Sequence, residues 1–404
     1  MRAPPPGALD LTRPSPLESL GSVLLGLEPD SRWRSPVLHE VQPLSSPLEE
    51  LRSVVRRALE RPPCIVSFSG GRDSSAVLAV AVDVARREGL ALPVPVTKRY
   101  RASPESDEQE WQQLVIGHLG LNEWIHVDVG TELDAVGPVA SSFMLRNGIT
   151  VGQLHTSALT FGPARGGSCL DGEGGDEVFG VRRSSAIKRV LHHTVPVRRL
   201  STYSWMRTLL APRAVRVRAM QARFHSTIEC RRWLRPDALE RFVAAVVDER
   251  TSEPLDARRA LAWHLRRRSI VHLRRNLREI AQADYDVVYD QPLLDERFVT
   301  SFARMAGPLG ILDRTAAMRK LFSELLPDAI LARTSKAYFN GVYLGDETRR
   351  FAEGWSGGGV DTSLVDVEAL RREWLSDWGS TQSCALLQAA WLHDHARDAG
   401  SAGG

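Results

Sequence analysis

The stretch Cys64-Ile65-Val66-Ser67-Phe68-Ser69-Gly70-Gly71-Arg72-Asp73-Ser74-Ser75 decides how this chain folds. Cys64–Phe68 is a short apolar run, closed off by Pro62-Pro63 on one side and by glycines on the other. That is the mark of a strand buried on both faces of a parallel sheet. Ala76–Arg87 follows as an apolar, helix-favouring segment, and strand, glycine turn, helix is the opening unit of a doubly wound α/β domain. The turn itself has a chemistry. Its glycines let the backbone pack against a phosphate, successive N–H groups point into it, and the helix adds its positive end. Ser69, Ser74 and Ser75 offer hydroxyl donors, and Asp73 sits where a carboxylate can hold a Mg²⁺ that bridges phosphates. The pattern differs from G-x-x-x-x-G-K-[ST], which carries a lysine here. An isolated Ser-Gly-Gly is often only a tight connection, but at this junction, with an Asp and two serines, it predicts a polyphosphate site.

Working outward, Ser46-Pro47 caps a helix over about 48–60, with Leu48, Leu51, Val54, Val55, Ala58 and Leu59 at helical spacing. Downstream, Pro93–Arg99 reads as a strand, Glu105–Leu119 as an amphipathic helix, Trp124–Val129 as a strand, Gly152–Leu159 as helical and Ser168-Cys169-Leu170 as a last strand. After about residue 185 the pattern changes to long, Arg-rich helical periodicities with no convincing strand. The chain therefore divides into a Pro-rich N-terminal arm laid on the surface (1–45), an α/β lobe (46–185), a helical lobe (186–398) and a frayed tail (399–404).

Composition bounds the function. At 404 residues and 43% apolar content, the chain can fill a core of two or three domains. No apolar stretch approaches the ~18 residues of a membrane helix, and Met1–Pro6 lacks the apolar segment of a signal peptide, so a cytoplasmic protein is expected. Cys64, Cys169, Cys230 and Cys384 stand far apart, which excludes a disulfide scaffold or a structural zinc site. The net charge of +3 hides two asymmetries. Only Lys98, Lys188, Lys320 and Lys336 are lysines, and between Val181 and Arg235 fourteen cations face a single acid, Glu229. This stretch reads as solvated helix faces or as a surface for an acidic peptide, a substrate carboxylate or nucleic acid. Nucleic acid is disfavoured, because few glycines or aromatics flank the arginines.

A second chemical signal lies in Leu170-Asp171-Gly172-Glu173-Gly174-Gly175-Asp176-Glu177-Val178-Phe179-Gly180. Glu173, Asp176 and Glu177 cluster in a glycine-rich turn just after a strand, at the carboxyl edge where α/β ligands bind. Clustered acids call for a cation.

Ser69–Ser75 resembles the pyrophosphate loop of the ATP pyrophosphatase superfamily, and Leu170–Gly180 resembles the second signature of the asparagine synthetase synthetase domain. Two further segments follow in the same order: Pro292-Leu293-Leu294-Asp295 resembles P-F-L-D, and Leu326-Pro327 through Arg333-Thr334-Ser335-Lys336-Ala337-Tyr338-Phe339 resembles L-P…R-x-x-K-x-x-F. The resemblance covers roughly residues 50 to 345. It implies an α/β fold whose parallel-sheet lobe is of the adenine nucleotide alpha-hydrolase (PP-loop) type, followed by a mostly helical C-terminal lobe. It implies ATP and Mg²⁺ as cofactors, with Ser69, Gly70, Gly71, Asp73, Ser74, Ser75 and Gly172 around the nucleotide and Asp73 and Asp176 on the metal. Glu173 would face the acyl-adenylate and its incoming amine. Lys336 would neutralise charge developing on the α-phosphate, with Lys320 as a competing phosphate contact.

The reaction so implied is adenylation of a carboxylate with release of pyrophosphate, then attack by an amine with release of AMP. Two departures narrow it. Glutamine-dependent members begin with a cysteine; here Arg2 follows Met1 and 68 residues precede Ser69, so no intrinsic glutaminase is expected and the amine comes from elsewhere. Before Pro292, Asp286-Val287-Val288-Tyr289-Asp290-Gln291 replaces the pattern G-V-E-A-R-V, which argues against an aspartate-sized substrate. The expected partners are therefore small-molecule or peptide carboxylates and amines, a precursor peptide among them. An ammonia-dependent asparagine synthetase and a nucleic-acid-associated, tRNA-modifying type of ATP-binding protein remain as alternatives.

Overall fold

A computed structural model describes residues 7–28, 45–100, 108–192, 211–226, 231–335, 340–377 and 379–401. Five strands form one parallel sheet in the order β3-β2-β1-β4-β5: β1 Cys64–Ser67, β2 Val94–Tyr100, β3 Ile125–Val129, β4 Ser168–Leu170 and β5 Val288–Asp290. β1 is central, so Ile65 and Val66 are buried on opposite faces. This is why Cys64–Phe68 reads as a continuous apolar run rather than an alternation.

On one face lie α1 (Pro47–Leu59), α2 (Arg72–Glu88) and α3 (Gln109–Leu119). Ser46 caps α1 by accepting the Glu49 N–H, with Pro47 at the first position. Gly89 ends α2 in the left-handed conformation. The same core takes in α8 (Glu296–Ala306) and α9 (Arg314–Phe322) from late in the chain, where Phe298, Phe302 and Phe322 surround Phe179 at ring separations of 6.5, 5.3 and 6.2 Å. The Leu170–Gly180 turn is thus anchored by its own phenylalanine. The opposite face packs Ile65, Val96, Cys169 and Tyr289 against Phe161 and against Ile280 of α7 (Arg268–Tyr285).

A separate core gathers Trp233, Phe242, Trp355, Trp374 and Leu387, from α5 (Pro236–Thr251), α10 (Val367–Leu375), α11 (Cys384–Ser401) and the loops between. The α/β sheet and the helix-rich region are therefore both present.

Three expectations change. The reading of no strand after residue 185 is corrected by β5, which extends the sheet with residues from far beyond that point. Only three residues long, it forms because the free edge of β4 offers a ladder, a condition invisible in local pattern. Residues 7–28 do not lie loosely on the surface: Leu11, Leu20 and Leu24 are buried, and Trp233 donates its indole N–H to the Leu20 carbonyl at 3.1 Å. The helical reading of 152–159 becomes a short 3₁₀ turn, Leu154–Ser157, continued by Ala158–Phe161. Residues 105–107 of the helix expected over 105–119, and much of 181–235, lie outside the described residues.

Candidate active site

β1 and β4 are adjacent, so the turns that follow them meet at the carboxyl edge of the sheet. The meeting is close enough to require glycine. A Cβ on Gly172 would stand 2.5 Å from the Ser74 nitrogen, and one on Gly175 would stand 2.2 Å from Cγ of Asp73. Gly70, at φ +85°, has the left-handed backbone that turns the chain from strand to helix. Between the turns opens a cavity of about 480 Å³, within the usual size range for a cofactor or small-molecule site.

Of the residues singled out from sequence, Ser69, Gly71, Asp73, Ser74, Gly172, Glu173 and Asp176 line this cavity. Ser69 and Ser74 hold one another, hydroxyl to hydroxyl, at 3.1 Å, and Ser74 donates to the Gly71 carbonyl at 3.2 Å. Gly71 is the N-cap of α2, so the free N–H groups of the helix start face the cavity. Gly70 and Ser75 do not line it. Gly70 packs on Gln112, and Ser75 is buried in the first turn of α2 with its hydroxyl unpartnered. Lys336 lies outside the described residues; Thr334 and Ser335 before it line the cavity. Lys320 is in the last turn of α9 and does not line it.

The structure adds residues that sequence reasoning gave no role. Arg314, at the start of α9, forms ion pairs with both Asp73 and Asp176. Arg333 and Glu108 make a bidentate pair and are 5% and 8% exposed; Arg333 also donates to the Gly70 carbonyl at 3.0 Å and stacks over Trp111 at 4.8 Å. Gln112 holds the Ser69 carbonyl at 3.0 Å. With both loop carbonyls drawn outward, the phosphate turn is held in shape from behind. In a chain with 48 arginines, nothing local marks Arg314 as different from the rest, and Arg333, although it opens the R-x-x-K-x-x-F segment, carries no local sign of its partners.

Beside Glu173, the segment that departs from G-V-E-A-R-V delivers two polar groups. Tyr289 donates its hydroxyl to Asp171, Gln291 donates to Tyr289 at 2.9 Å, and Asp171 accepts the Glu173 N–H at 2.9 Å. Gln291 is 1% exposed and its carbonyl oxygen has no partner.

Electrostatically, the described lining carries six carboxylates and three guanidiniums, Arg72, Arg314 and Arg333. Burial pushes the Asp73 carboxyl up against the opposing pull of Arg314. Burial raises Asp171 to about 6, although the Tyr289 hydrogen bond works the other way. Glu173 is the most displaced: burial, then Asp171, Glu177, Asp176 and Asp73, push it up to about 8. Glu173 lines the cavity and is itself exposed to it, so the surrounding carboxylates are the firmer cause of the shift.

An excess of acid at a phosphate turn fits a nucleotide that arrives with a divalent cation. Asp73 Oδ1 is buried without a donor, an acceptor left for such an ion. Among the described residues no cluster of three or more His, Cys, Asp or Glu ligands occurs. Two carboxylates with phosphates and water making up the rest is the usual Mg²⁺ arrangement.

A five-stranded parallel sheet, with a Ser-Gly-Gly turn after its central strand and an acid-rich glycine turn after the neighbouring one, defines an ATP pyrophosphatase type of domain. The asparagine synthase family model matches residues 49–394, and the chain belongs to that family. It is an ATP-dependent ligase, an amide-bond synthetase of the asparagine synthetase type. No curated protein matches it. Among the described residues no helix is long and apolar enough to cross a membrane.

Proposed function

We propose that the enzyme adenylates a carboxylate with ATP, releasing pyrophosphate, and transfers the acyl group to an amine of a specialised metabolite or peptide, releasing AMP. The observation that carries this reading is the interlock of the two glycine turns around one cavity, which sets Asp73, Asp176 and the start of α2 together. The helix N-terminus and the Ser69 and Ser74 hydroxyls bind the departing pyrophosphate oxygens. Asp73 and Asp176 hold Mg²⁺, which when bound offsets phosphate charge. Glu173 accepts the proton of the attacking amine, a task suited to a carboxylate whose pKa lies near the working pH. Lys336 neutralises the α-phosphate by family resemblance. The Tyr289–Asp171 pair and Gln291 support a substrate side that is built differently from an aspartate pocket. ATP is a cytoplasmic substrate, and we place the enzyme there.

The test is exchange of labelled pyrophosphate into ATP with a panel of acids that includes L-aspartate and peptides bearing Asp or Glu side chains. The expected outcome is Mg²⁺-dependent exchange with one acid class, and AMP as the nucleotide product once the amine is added. Formation of ADP and phosphate with every acid would refute the reading.

A further inference from the structure

Asp313 caps α9 by accepting the Ala316 N–H at 2.8 Å, so Arg314 projects from a fixed helix start. Its guanidinium spans the cavity, with one terminal nitrogen on Asp73 and the other on Asp176. These are the same two carboxylates that the proposed function gives to Mg²⁺. Two members of the cluster, Asp73 and Arg314, also have an unmet group. Asp73 Oδ1 is buried with no donor, and Arg314 Nε is buried with no acceptor. An unmet acceptor on the anion calls for a cation, and an unmet donor on the cation calls for an anion; a metal–phosphate pair supplies both. Arg314 is moreover held beside a like charge, because Arg72 lines the same cavity and reaches Thr315 of α9 at 3.4 Å. Two carboxylates keep it there against that repulsion.

We propose that Arg314 is an exchangeable counter-ion: it neutralises Asp73 and Asp176 in the nucleotide-free enzyme and passes to the phosphates as Mg²⁺ enters with ATP. The inference rests on the ATP reading of this cavity. Its consequence is an order of binding. A metal ion alone has to displace a guanidinium from two carboxylates and gains no phosphate ligand in return. With ATP, the displaced guanidinium finds phosphate oxygens, so metal and nucleotide are taken up together.

The experiment is a Mn²⁺ titration of the full chain followed by electron paramagnetic resonance, without nucleotide and with α,β-methylene-ATP, which cannot release pyrophosphate and so cannot donate its adenylyl group. Wild type is expected to bind Mn²⁺ at least about tenfold more tightly with the analogue than without it. Arg314→Met should bind Mn²⁺ without nucleotide about tenfold more tightly than wild type, the low end of what a close charge pair contributes. Arg314→Gln, which keeps hydrogen-bonding capacity and loses the charge, should shift in the same direction and serves if the methionine variant misfolds. If both folded variants bind Mn²⁺ no more tightly than wild type in the nucleotide-free state, Arg314 does not compete with the metal and the proposal fails. Should wild type bind Mn²⁺ neither with nor without the analogue, the ATP reading itself falls, and the proposal falls with it.

Discussion

At Glu173, burial and four neighbouring carboxylates act in one direction, and the sign of that shift sets two outcomes. The ordinary value is 4.5 and the folded value about 8. Below pH 4.5 the carboxyl is protonated in both the folded and unfolded chain. Above it, the unfolded chain releases its proton first, so the stability contributed by this group is lost as pH rises through about 8. Glu173→Gln removes that liability. In thermal melting of the nucleotide-free enzyme, the variant should exceed wild type in Tm by little at about pH 5 and by clearly more at about pH 8.5. The same group in its ionised form is the proton acceptor for the amine, so aminolysis should rise with pH along a limb governed by Glu173. In Glu173→Gln, pyrophosphate exchange should persist while amide formation falls by at least about a hundredfold, the low end for loss of a general base. Retention of amide formation would move the base elsewhere. Glu173 was legible in the sequence because an acid inside a glycine turn after a strand has few structural uses. Its raised pKa was not, because Asp73 and Asp171 reach it only through the adjacency of β1 and β4.

Between elements, the decisive contact is the one that excludes a side chain. Gly172 follows β4 and lies against the first turn of α2, where a Cβ would stand 2.5 Å from backbone nitrogen and 2.8 Å from the Asp73 carbonyl carbon. Backbone cannot move aside as a flexible side chain can, so Gly172→Ala must push the two turns apart. The expected result is loss of pyrophosphate exchange by roughly a hundredfold, the effect of displacing a positioned group by about 1 Å, with the fold retained by circular dichroism. Near-normal exchange would mean that the interlock does not position the phosphates. The elements themselves were largely readable: α1, β1, β2, β3 and β4 fall within a residue or two of the expected spans, because each carries its own period, cap or bounding proline. β5 was not, since three residues carry no period at all. Nor was the Arg333–Glu108 pair, whose members are 225 positions apart.

Over the whole molecule, the N-terminal segment behaves as core. Leu20 is buried among Trp233, Phe242 and Trp374, and Glu18, itself buried, pairs with Arg268 of α7. Leu20→Ala should therefore destabilise the protein by about 2–5 kcal/mol, as a large-to-small core change does, rather than by the few tenths expected of a surface arm. Urea denaturation measures this, and a shift within error of zero would restore the surface reading. By itself the sequence determined the parallel-sheet class, the phosphate turn and the acid turn. Each is written in a dozen neighbouring residues, where local rules of strand burial, glycine backbone freedom and helix capping decide the outcome. Only the tertiary structure decided which charges meet. Arg314 reaches Asp73 across 241 positions and Arg333 reaches Gly70 across 263, and β5 joins β4 across more than a hundred. Such contacts depend on the packing of whole elements, and an arginine or a three-residue apolar run looks the same in sequence whether or not packing brings it a partner.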